Sequence, residues 1–299
     1  MLHIVILIGF LRKLHSIYHI SYGSFRIQCL KLIKCPYIFY LMELLVAYKD
    51  DPAGHNMAKF ISQDMEKDEE IFRGKLFDLV IIPTPAISAD WLEEKYHYDG
   101  FVFLSKHAAE SGVLALTCHS TGNFSKAKFG GNDRQIAVPH AHLHKNYIQK
   151  LWASRNNFSD FQITIEATHH GPTALSKPAL FIEIGTTEKQ WTDVDLCNSV
   201  AKIVANVVNS EQKTYPVALC FGGTHYPDKF TKENIEGKFA LGTVVPRHAL
   251  EFLDEKLFSH IIKRNDMAKT ALLDWTGLGQ HKQKVMNLIQ TTDLEVIKL

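Results

Sequence analysis

Histidines follow five of the strands that the sequence predicts, and this placement is its clearest chemical signal. They are His107, His119, His169, His225 and His248, out of 16 histidines in 299 residues. Because ligands of open α/β sheets bind beyond the carboxyl ends of the strands, we expect these side chains to line one pocket. Neutral imidazoles bind zinc and also act as general acids or bases near neutral pH. The pattern therefore predicts a metal or acid–base site at this edge of the sheet.

Two carboxylates interrupt otherwise apolar strands near the same edge. Glu166 lies just before His169, and Glu183 lies within the apolar run 181–185. A buried acid needs a partner, so each glutamate is expected to orient a histidine or to ligate a metal. For Glu183, a structural hydrogen bond to the backbone or to an arginine is an equally good interpretation.

Several of the histidines also have structural interpretations. The adjacent His169 and His170 point in opposite directions on an extended chain, so one of them is expected to be structural. We expect His107 and His248 in supporting or surface positions rather than as metal ligands.

Glycine pairs that are present and catalytic motifs that are absent limit the reactions this site could catalyse. The pairs Gly130-Gly131 and Gly222-Gly223 could supply backbone N–H groups to an oxyanion or a phosphate, although any tight turn uses such pairs. The chain contains no GxSxG, GxxxxGK[ST] or HExxH motif. The absence of these motifs excludes the commonest classes of serine hydrolase, nucleoside triphosphatase and zinc protease.

Other candidate residues have simpler explanations. The run His140-x-His142-x-His144 precedes an apolar spacing typical of a helix, on which only the first and third share a face, so we expect an exposed helical face. Cys118 and Cys220 each end an apolar strand, and packing explains them better than nucleophilic catalysis. The five cysteines are widely spread and form no CxxC, which indicates free thiols in a reducing, cytoplasmic compartment.

Short apolar runs alternate with helical patterns from residue 42 onward. Strands are predicted at 43–48, 76–82, 101–105, 113–118, 161–167, 179–184, 216–221, 239–245 and 269–274. Helices are predicted at 54–67, 88–96, 140–153, 187–209, 248–263 and 278–291. Several strands are apolar on both faces, as in the interior of a covered sheet. The alternation predicts an α/β fold in which helices sandwich a mostly parallel sheet.

Residues 1–41 differ from the rest of the chain. They contain basic residues and no acidic ones, although the whole chain is balanced at a net charge of +1. They lack the order of charged, apolar and small residues that marks a secretory signal. No apolar stretch reaches the roughly 18 residues that a membrane-spanning helix needs. We expect 1–41 to be an atypical extension outside the fold, Met42 to be the true start, and 42–299 to form one domain.

Specific sequence blocks at the predicted edge occur in a fixed order. They are Thr117–Asn123 followed by Gly130-Gly131, Glu166–Thr173, Phe181–Gly185 with Trp191, Gly222–Tyr226, and Asp274-Trp275. Together they resemble the archaeal and plant D-aminoacyl-tRNA deacylases, across roughly residues 42–299. Two positions depart from the family pattern, Thr224 in place of a third glycine and Phe124 in place of tryptophan. Both flank the motif residues and bear on the shape of the pocket.

The resemblance implies a three-layer α/β/α sandwich of the phosphorylase and peptidyl-tRNA hydrolase type, one or two Zn²⁺ ions, and hydrolysis of the ester that joins a D-amino acid to tRNA. The expected metal ligands are His119, His225 and Glu166. The expected catalytic residues are His169, His170, Thr121 and Glu183, and some of these histidines could also hold the metal. The expected substrate-binding residues are Asn123, Gly130, Gly131, Gly222, Gly223, Lys106 and Arg134, with the last two on phosphates. A bound zinc would activate a water molecule for attack on the ester carbonyl.

Three other functions remain open at this stage. A zinc exopeptidase or amidohydrolase would use the same ligands, and activity on short peptides would distinguish it. A metal-storing or tRNA-binding module would show no turnover, whereas a nucleoside phosphorylase would depend on phosphate. The resemblance also implies that the protein is a monomer with aminoacylated tRNA as its partner.

Overall fold

Strands and helices alternate along the chain in a computed structural model that describes residues 42–110 and 112–299. The predicted extension 1–41 lies outside the described residues. The strands are β1 (Glu43–Tyr48), β2 (Glu66–Asp68), β3 (Ile71–Arg73), β4 (Phe77–Ile82), β5 (Gly100–Ala108), β6 (Ala115–His119), β7 (Gln162–Ile165), β8 (Ala179–Thr186), β9 (Val217–Phe221), β10 (Ala240–Val245), β11 (Ala268–Leu273) and β12 (Glu295–Lys298). The α-helices are α1 (Pro52–Ile61), α2 (Leu92–Lys95), α3 (Ala141–Ala153), α4 (Glu188–Trp191), α5 (Val194–Val208), α6 (Asp228–Glu236), α7 (Glu255–Arg264) and α8 (Lys282–Ile289).

The strands form a large sheet and a smaller one. The large sheet has eight strands in the order β2-β3-β4-β1-β5-β8-β6-β7, and the smaller has four in the order β10-β9-β11-β12. The central strands β4, β1, β5 and β8 are parallel, whereas β6 pairs antiparallel to β8 and then parallel to β7. The predicted fold class, α/β with a mostly parallel sheet and helices on both sides, is confirmed. The smaller sheet is an addition that the sequence did not predict.

Both faces of the large sheet are buried at its centre. Along β1, Leu45 and Ala47 belong to the apolar cluster that contains residues of α1, α3 and α5. Their neighbours Leu44 and Val46 belong to a second cluster, built with residues of the 86–96 segment. This alternation follows from the two-residue period of side chains along a strand. A strand that is apolar on both faces in the sequence is therefore buried on both faces in the structure.

A buried carboxylate ties helix α1 to the end of β5. Asp51 Oδ1 accepts the Gly54 N–H at 2.9 Å as the helix N-cap, and Oδ2 accepts the Ser105 hydroxyl and the Lys106 N–H, each at 3.0 Å. The helix lies so close to β5 that a Cβ on Gly54 would be 2.2 Å from the Leu104 carbonyl oxygen. The position of the β5 end, which carries His107, depends on this contact.

Several predicted boundaries differ from the observed ones. The helix predicted over 187–209 is two helices, because Asp193 begins α5 as a new N-cap and accepts the Leu196 N–H at 3.0 Å. The helix predicted over 54–67 ends at Ile61, since residues 66–68 pair with β3. Short polar elements, namely β2, β3, β12 and α6, were not predicted. Within the described part of the chain, no helix combines the length and apolar character required to cross a bilayer.

A buried lysine joins two helices in the interior. The Lys145 ammonium on α3 lies within 2.9–3.1 Å of the backbone carbonyl oxygens of Glu233, Asn234, Gly237 and Phe239. These carbonyls lie at and beyond the C-terminal end of α6, where the helix has unpaired acceptors and a partial negative charge. The lysine therefore satisfies the acceptors that end this polar helix.

We expect Lys145→Met to lower the free energy of unfolding by about 1–3 kcal/mol, because buried carbonyls lose their donor. Urea denaturation of the full chain measures the change. The matched control is Lys150→Met, at an exposed position of the same helix, which should change stability by less than about 0.5 kcal/mol. Equal stability of the two variants would contradict the role assigned to Lys145.

Candidate metal and active site

Histidines and glutamates from several strands converge in one cluster. His107 lies on β5, His119 ends β6, Glu183 lies on β8, Glu166 follows β7, and His225 follows β9 of the smaller sheet. The expectation of one shared strand edge is only partly right, because β6 and β7 run opposite to β8. The carboxyl end of β6 meets β8 near its start, where His119 pairs with Phe181.

Three imidazoles of the cluster are oriented by backbone carbonyls. The Nδ1 atoms of His119, His169 and His170 lie 3.1, 2.9 and 2.7 Å from carbonyl oxygens at Ser120, Ala167 and Gly171, respectively. A carbonyl can only accept, so each Nδ1 carries the proton and Nε2 keeps the lone pair when the ring is neutral. An outer hydrogen bond of this kind is the usual way in which proteins orient metal-binding histidines.

The surroundings favour neutral rings at two of these three positions. Burial, followed by the nearby charge of His119, lowers the pKa of His169 well below its usual range and that of His170 to about 4. At His119 burial also opposes the charge, but Glu183 outweighs it and raises the pKa. Neutral imidazole is the form that binds a metal.

A charged histidine links the two buried glutamates. His107 Nδ1 lies 3.2 Å from Glu166 Oε1 and 3.2 Å from Glu183 Oε2, and Nε2 lies 2.8 Å from the Tyr226 hydroxyl oxygen. Burial lowers the pKa of His107, but the two carboxylates outweigh it and raise the pKa to about 10. The same contacts outweigh burial at both glutamates and lower their pKa values. His107, which we expected in a supporting or surface position, therefore lies at the centre of the cluster, and only 4% of the residue is exposed.

The ligand atoms of three groups of residues in the cluster are close enough together to hold a metal ion. The possible ligand atoms of His119, His169 and His170 lie within 4.8 Å of one another, as do those of Glu166, His169 and His225 and those of His107, Glu166 and Glu183. A protonated His107 has no lone pair for a metal, which leaves the first two groups, and His169 belongs to both. In addition, His119 Nε2 is buried without a hydrogen-bond partner, and the Glu183 carboxylate oxygen beside it lies at 3.6 Å. Imidazole nitrogens and carboxylate oxygens are ligands that zinc accepts.

Thr121, expected to be catalytic, lies behind the loop that carries His169 and His170 and is hydrogen-bonded to its backbone. Its side chain is fully buried, and its hydroxyl donates to the Pro172 carbonyl at 2.5 Å. The neighbouring Gly122 N–H donates to the carbonyls of His169 and His170. His170 itself has a φ of 43°, in the left-handed region that non-glycine residues rarely adopt. Thr121 and Gly122 therefore hold the backbone that carries two of the candidate ligands, and the direct catalytic role expected for Thr121 stays a prediction.

The glycine-rich turn at 130–131 packs closely against neighbouring segments of the chain. Asn123, 8% exposed, donates from Nδ2 to the Gly130 carbonyl at 2.9 Å. A Cβ on Gly130 would lie 1.9 Å from the Ile87 carbonyl oxygen, and one on Gly131 would lie 2.7 Å from Thr173. Both glycines have positive φ angles, 70° and 72°. Asn123 thus stabilises the turn, and its expected contact with substrate stays a prediction.

Two further expected substrate-binding residues already have partners within the chain. The Gly222 N–H donates to the Val245 carbonyl at 2.9 Å. Arg134 forms an exposed ion pair with Asp254 at 2.7 Å, and the expected contacts of both residues with substrate stay predictions. Gly223, by contrast, lines an open cleft beside the cluster.

Lys106 contacts an aromatic residue, Trp191, which is itself hydrogen-bonded to His107 of the cluster. Its ammonium sits 4.9 Å from the centre of the Trp191 ring, and the Trp191 indole N–H donates to the His107 carbonyl at 3.0 Å. The lysine side chain is exposed. Its predicted contact with a tRNA phosphate is compatible with this position and stays a prediction.

Comparison with known proteins supports the family suggested by these blocks. The family model for D-aminoacyl-tRNA deacylase matches residues 94–297. The chain is 54% identical over 256 residues to the D-aminoacyl-tRNA deacylase of Cenarchaeum symbiosum, covering 86% of this chain and 99% of that protein. It is 31% identical over 275 residues to the D-aminoacyl-tRNA deacylase of Pyrococcus horikoshii, covering 86% and 100%. The chain belongs to the D-aminoacyl-tRNA deacylase family.

A solved structure has the same fold as this family member. It is a crystal structure of a conserved protein of unknown function, with a TM-score of 0.81 and 29% sequence identity. The alignment covers 86% of this chain and 95% of that one.

The remaining candidates lie apart from the histidine–glutamate cluster of this deacylase-family chain. His140 pairs with Glu43 at 3.0 Å, and both residues are buried. His144 is also buried, and burial lowers its pKa to about 3. The exposed helical face expected here is therefore wrong. Cys118 and Cys220 are fully buried free thiols whose pKa values burial raises, which agrees with packing rather than nucleophilic chemistry.

Sequence reasoning missed Tyr226 and underrated His107. Tyr226 lies in the Gly222–Tyr226 block directly after His225, and its hydroxyl oxygen accepts from the charged His107. The position of Tyr226 within this block was the feature of the sequence that could have identified it. No feature of the sequence predicted the charge of His107, because that charge depends on two glutamates far along the chain.

We expect His107→Leu to lower the free energy of unfolding by about 3–5 kcal/mol, because two buried carboxylates lose their shared cation. Urea denaturation in the presence of EDTA measures this without a metal contribution. Tyr226→Phe is the matched control, since it removes only a hydroxyl from the same network and should cost about 1 kcal/mol. A His107→Leu protein as stable as the Tyr226→Phe protein would show that His107 does not balance the glutamates.

Proposed function

We propose that this protein hydrolyses the ester bond of D-aminoacyl-tRNA and releases the free D-amino acid and tRNA. One observation carries the chemistry, namely the gathering of Nε2 lone pairs from backbone-anchored histidines beside two buried, ionised glutamates. The substrate class follows from membership in a family whose curated relatives are D-aminoacyl-tRNA deacylases. Together these features support a metal-dependent hydrolase that acts on an ester.

We propose zinc as the metal. His119, His169 and His170 form one candidate ligand group, and Glu166, His169 and His225 form the other. When bound, zinc would polarise the ester carbonyl and make water a better nucleophile. The shared His169 supports a site for two neighbouring ions or for one ion that uses ligands from both groups. His169 and His170 are assigned as ligands rather than proton carriers, because burial lowers the pKa of each ring below its usual range, so neither readily holds a proton near neutral pH.

We propose that Glu183 accepts a proton during the reaction. Its Oε1 lies 3.6 Å from His119 Nε2 and 4.0 Å from His170 Nε2, so it borders the same space as the candidate ligand atoms. Its other oxygen is held by His107 at 3.2 Å. A carboxylate fixed at one oxygen and free at the other suits a general base that takes the proton of the attacking water.

We expect His169→Ala and His225→Ala each to lower kcat/KM on D-tyrosyl-tRNA by at least about 100-fold, because loss of a ligand weakens metal-assisted attack. Zinc content per chain should fall in parallel. The assay compares D-tyrosyl-tRNA, L-tyrosyl-tRNA and short peptides, and turnover of peptides instead would support an exopeptidase. His97→Ala, at an exposed position, is the control and should keep full activity. Full deacylation by both ligand variants would reject this site.

Metal removal is a separate test of the cofactor. We expect dialysis against a chelator to abolish deacylation and added Zn²⁺ to restore it, because the buried nitrogens and carboxylates suit zinc better than Mg²⁺, which prefers all-oxygen sites. Elemental analysis of the purified protein then gives the number of ions. Undiminished turnover after complete metal removal would contradict the proposal.

A further inference from the structure

An open cleft adjoins the candidate active site and shares one of its residues. The cleft has a volume of about 450 Å³, and its walls include His225, Arg247, His248, Glu251, Gln280 and His281. His225 Nε2 also lies 2.8 Å from Glu166 Oε2. The cleft therefore begins within one side chain of the histidine–glutamate cluster.

Arg247 presents an uncommitted cation in this cleft. Among residues 42–110 and 112–299, its guanidinium forms no ion pair or side-chain hydrogen bond, in contrast to Arg134 with Asp254. Its backbone N–H is fixed by the Gly223 carbonyl at 2.9 Å. The guanidinium lies against the backbone of Gly279, where a Cβ would be 2.8 Å from Nη2. The base of this side chain is thus held while its charge stays available.

We propose that the cleft receives the 3′-terminal adenosine of the tRNA, and that Arg247 contacts the phosphate on its 5′ side. This inference rests on the proposed function, since the scissile ester joins the amino acid to the ribose of that adenosine. With the ester carbonyl at the cluster, the ribose lies directly beside it and the base beyond the ribose, and the cleft begins at His225, which the cluster shares.

The size and chemistry of the cleft suit one nucleotide. Its volume lies within the range of about 300–1,000 Å³ that is typical of small-ligand sites. Arginine offers a planar fork of donors that matches a phosphate. The Gln280 amide and the imidazoles of His248 and His281 offer hydrogen-bonding and stacking partners to a base. Glu251 gives the cleft a carboxylate as well, so its charge suits a single phosphate rather than a run of them.

The test compares two substrates, only one of which carries the phosphate on the 5′ side of the terminal adenosine. D-Tyrosyl-tRNA carries it, and 2′(3′)-O-D-tyrosyladenosine has the same ester and nucleoside without it. We expect Arg247→Gln to lower kcat/KM on the tRNA substrate by about 10- to 100-fold, mainly through KM, and to leave the adenosine ester unchanged. Retained activity on the adenosine ester also shows that the variant is folded. Arg155→Gln, at another exposed arginine, is the matched control and should behave as wild type on both.

Inhibition by small molecules tests the cleft directly. We expect AMP to inhibit wild type more strongly than adenosine does, and the two to be equal against Arg247→Gln. Wild-type kinetics of Arg247→Gln on tRNA, equal losses on both substrates, or competition by D-tyrosine but not by AMP would each overturn the assignment.

The outcomes also separate this inference from the proposed function. Deacylation by wild type together with an unaffected Arg247→Gln variant would reject the cleft alone. Absence of deacylation, with AMP binding that still requires Arg247 in calorimetry, would reject the function and support the nucleotide site.

Discussion

The shared cation of His107 is the interaction on which the rest of the site depends. Two carboxylates in a buried space would repel each other and gain protons, and Glu166 and Glu183 are both almost completely buried. An imidazolium 3.2 Å from each makes their joint burial tolerable and keeps both ionised. The Asp51 contacts with Ser105 and Lys106 then matter, because they hold the end of the strand that presents this cation.

Backbone groups rather than side chains orient the histidines around this pair. His119, His169 and His170 each donate from Nδ1 to a carbonyl within two residues, so the direction of the ring is set by the local chain. Thr121 and Gly122 hold that chain from the opposite side. The consequence is a rigid set of lone pairs, which is what tight binding of a metal in a fixed geometry requires.

The smaller sheet gives the site its opening. It supplies His225 after β9, and the chain after β10 supplies Arg247, so the nitrogen that approaches Glu166 and the cation of the cleft come from neighbouring strands. The large sheet contributes the buried, charged interior of the site. The joint use of two sheets explains how a fully buried Glu166 can lie beside the partly exposed His225.

The sequence by itself determined the α/β class, most strand positions, the candidate ligands and the family, because strand periodicity and contiguous blocks are local properties. Tertiary structure alone decided the antiparallel pairing of β6 with β8, the charge of His107, the burial of Thr121 and the ion pair of Arg134 with Asp254. Each depends on partners far apart in the chain, such as His107 and Glu183, which are 76 residues apart. The spacing of residues along the chain predicts which positions are buried and where the chain turns. Contacts between distant residues are instead set by the order and direction of the strands.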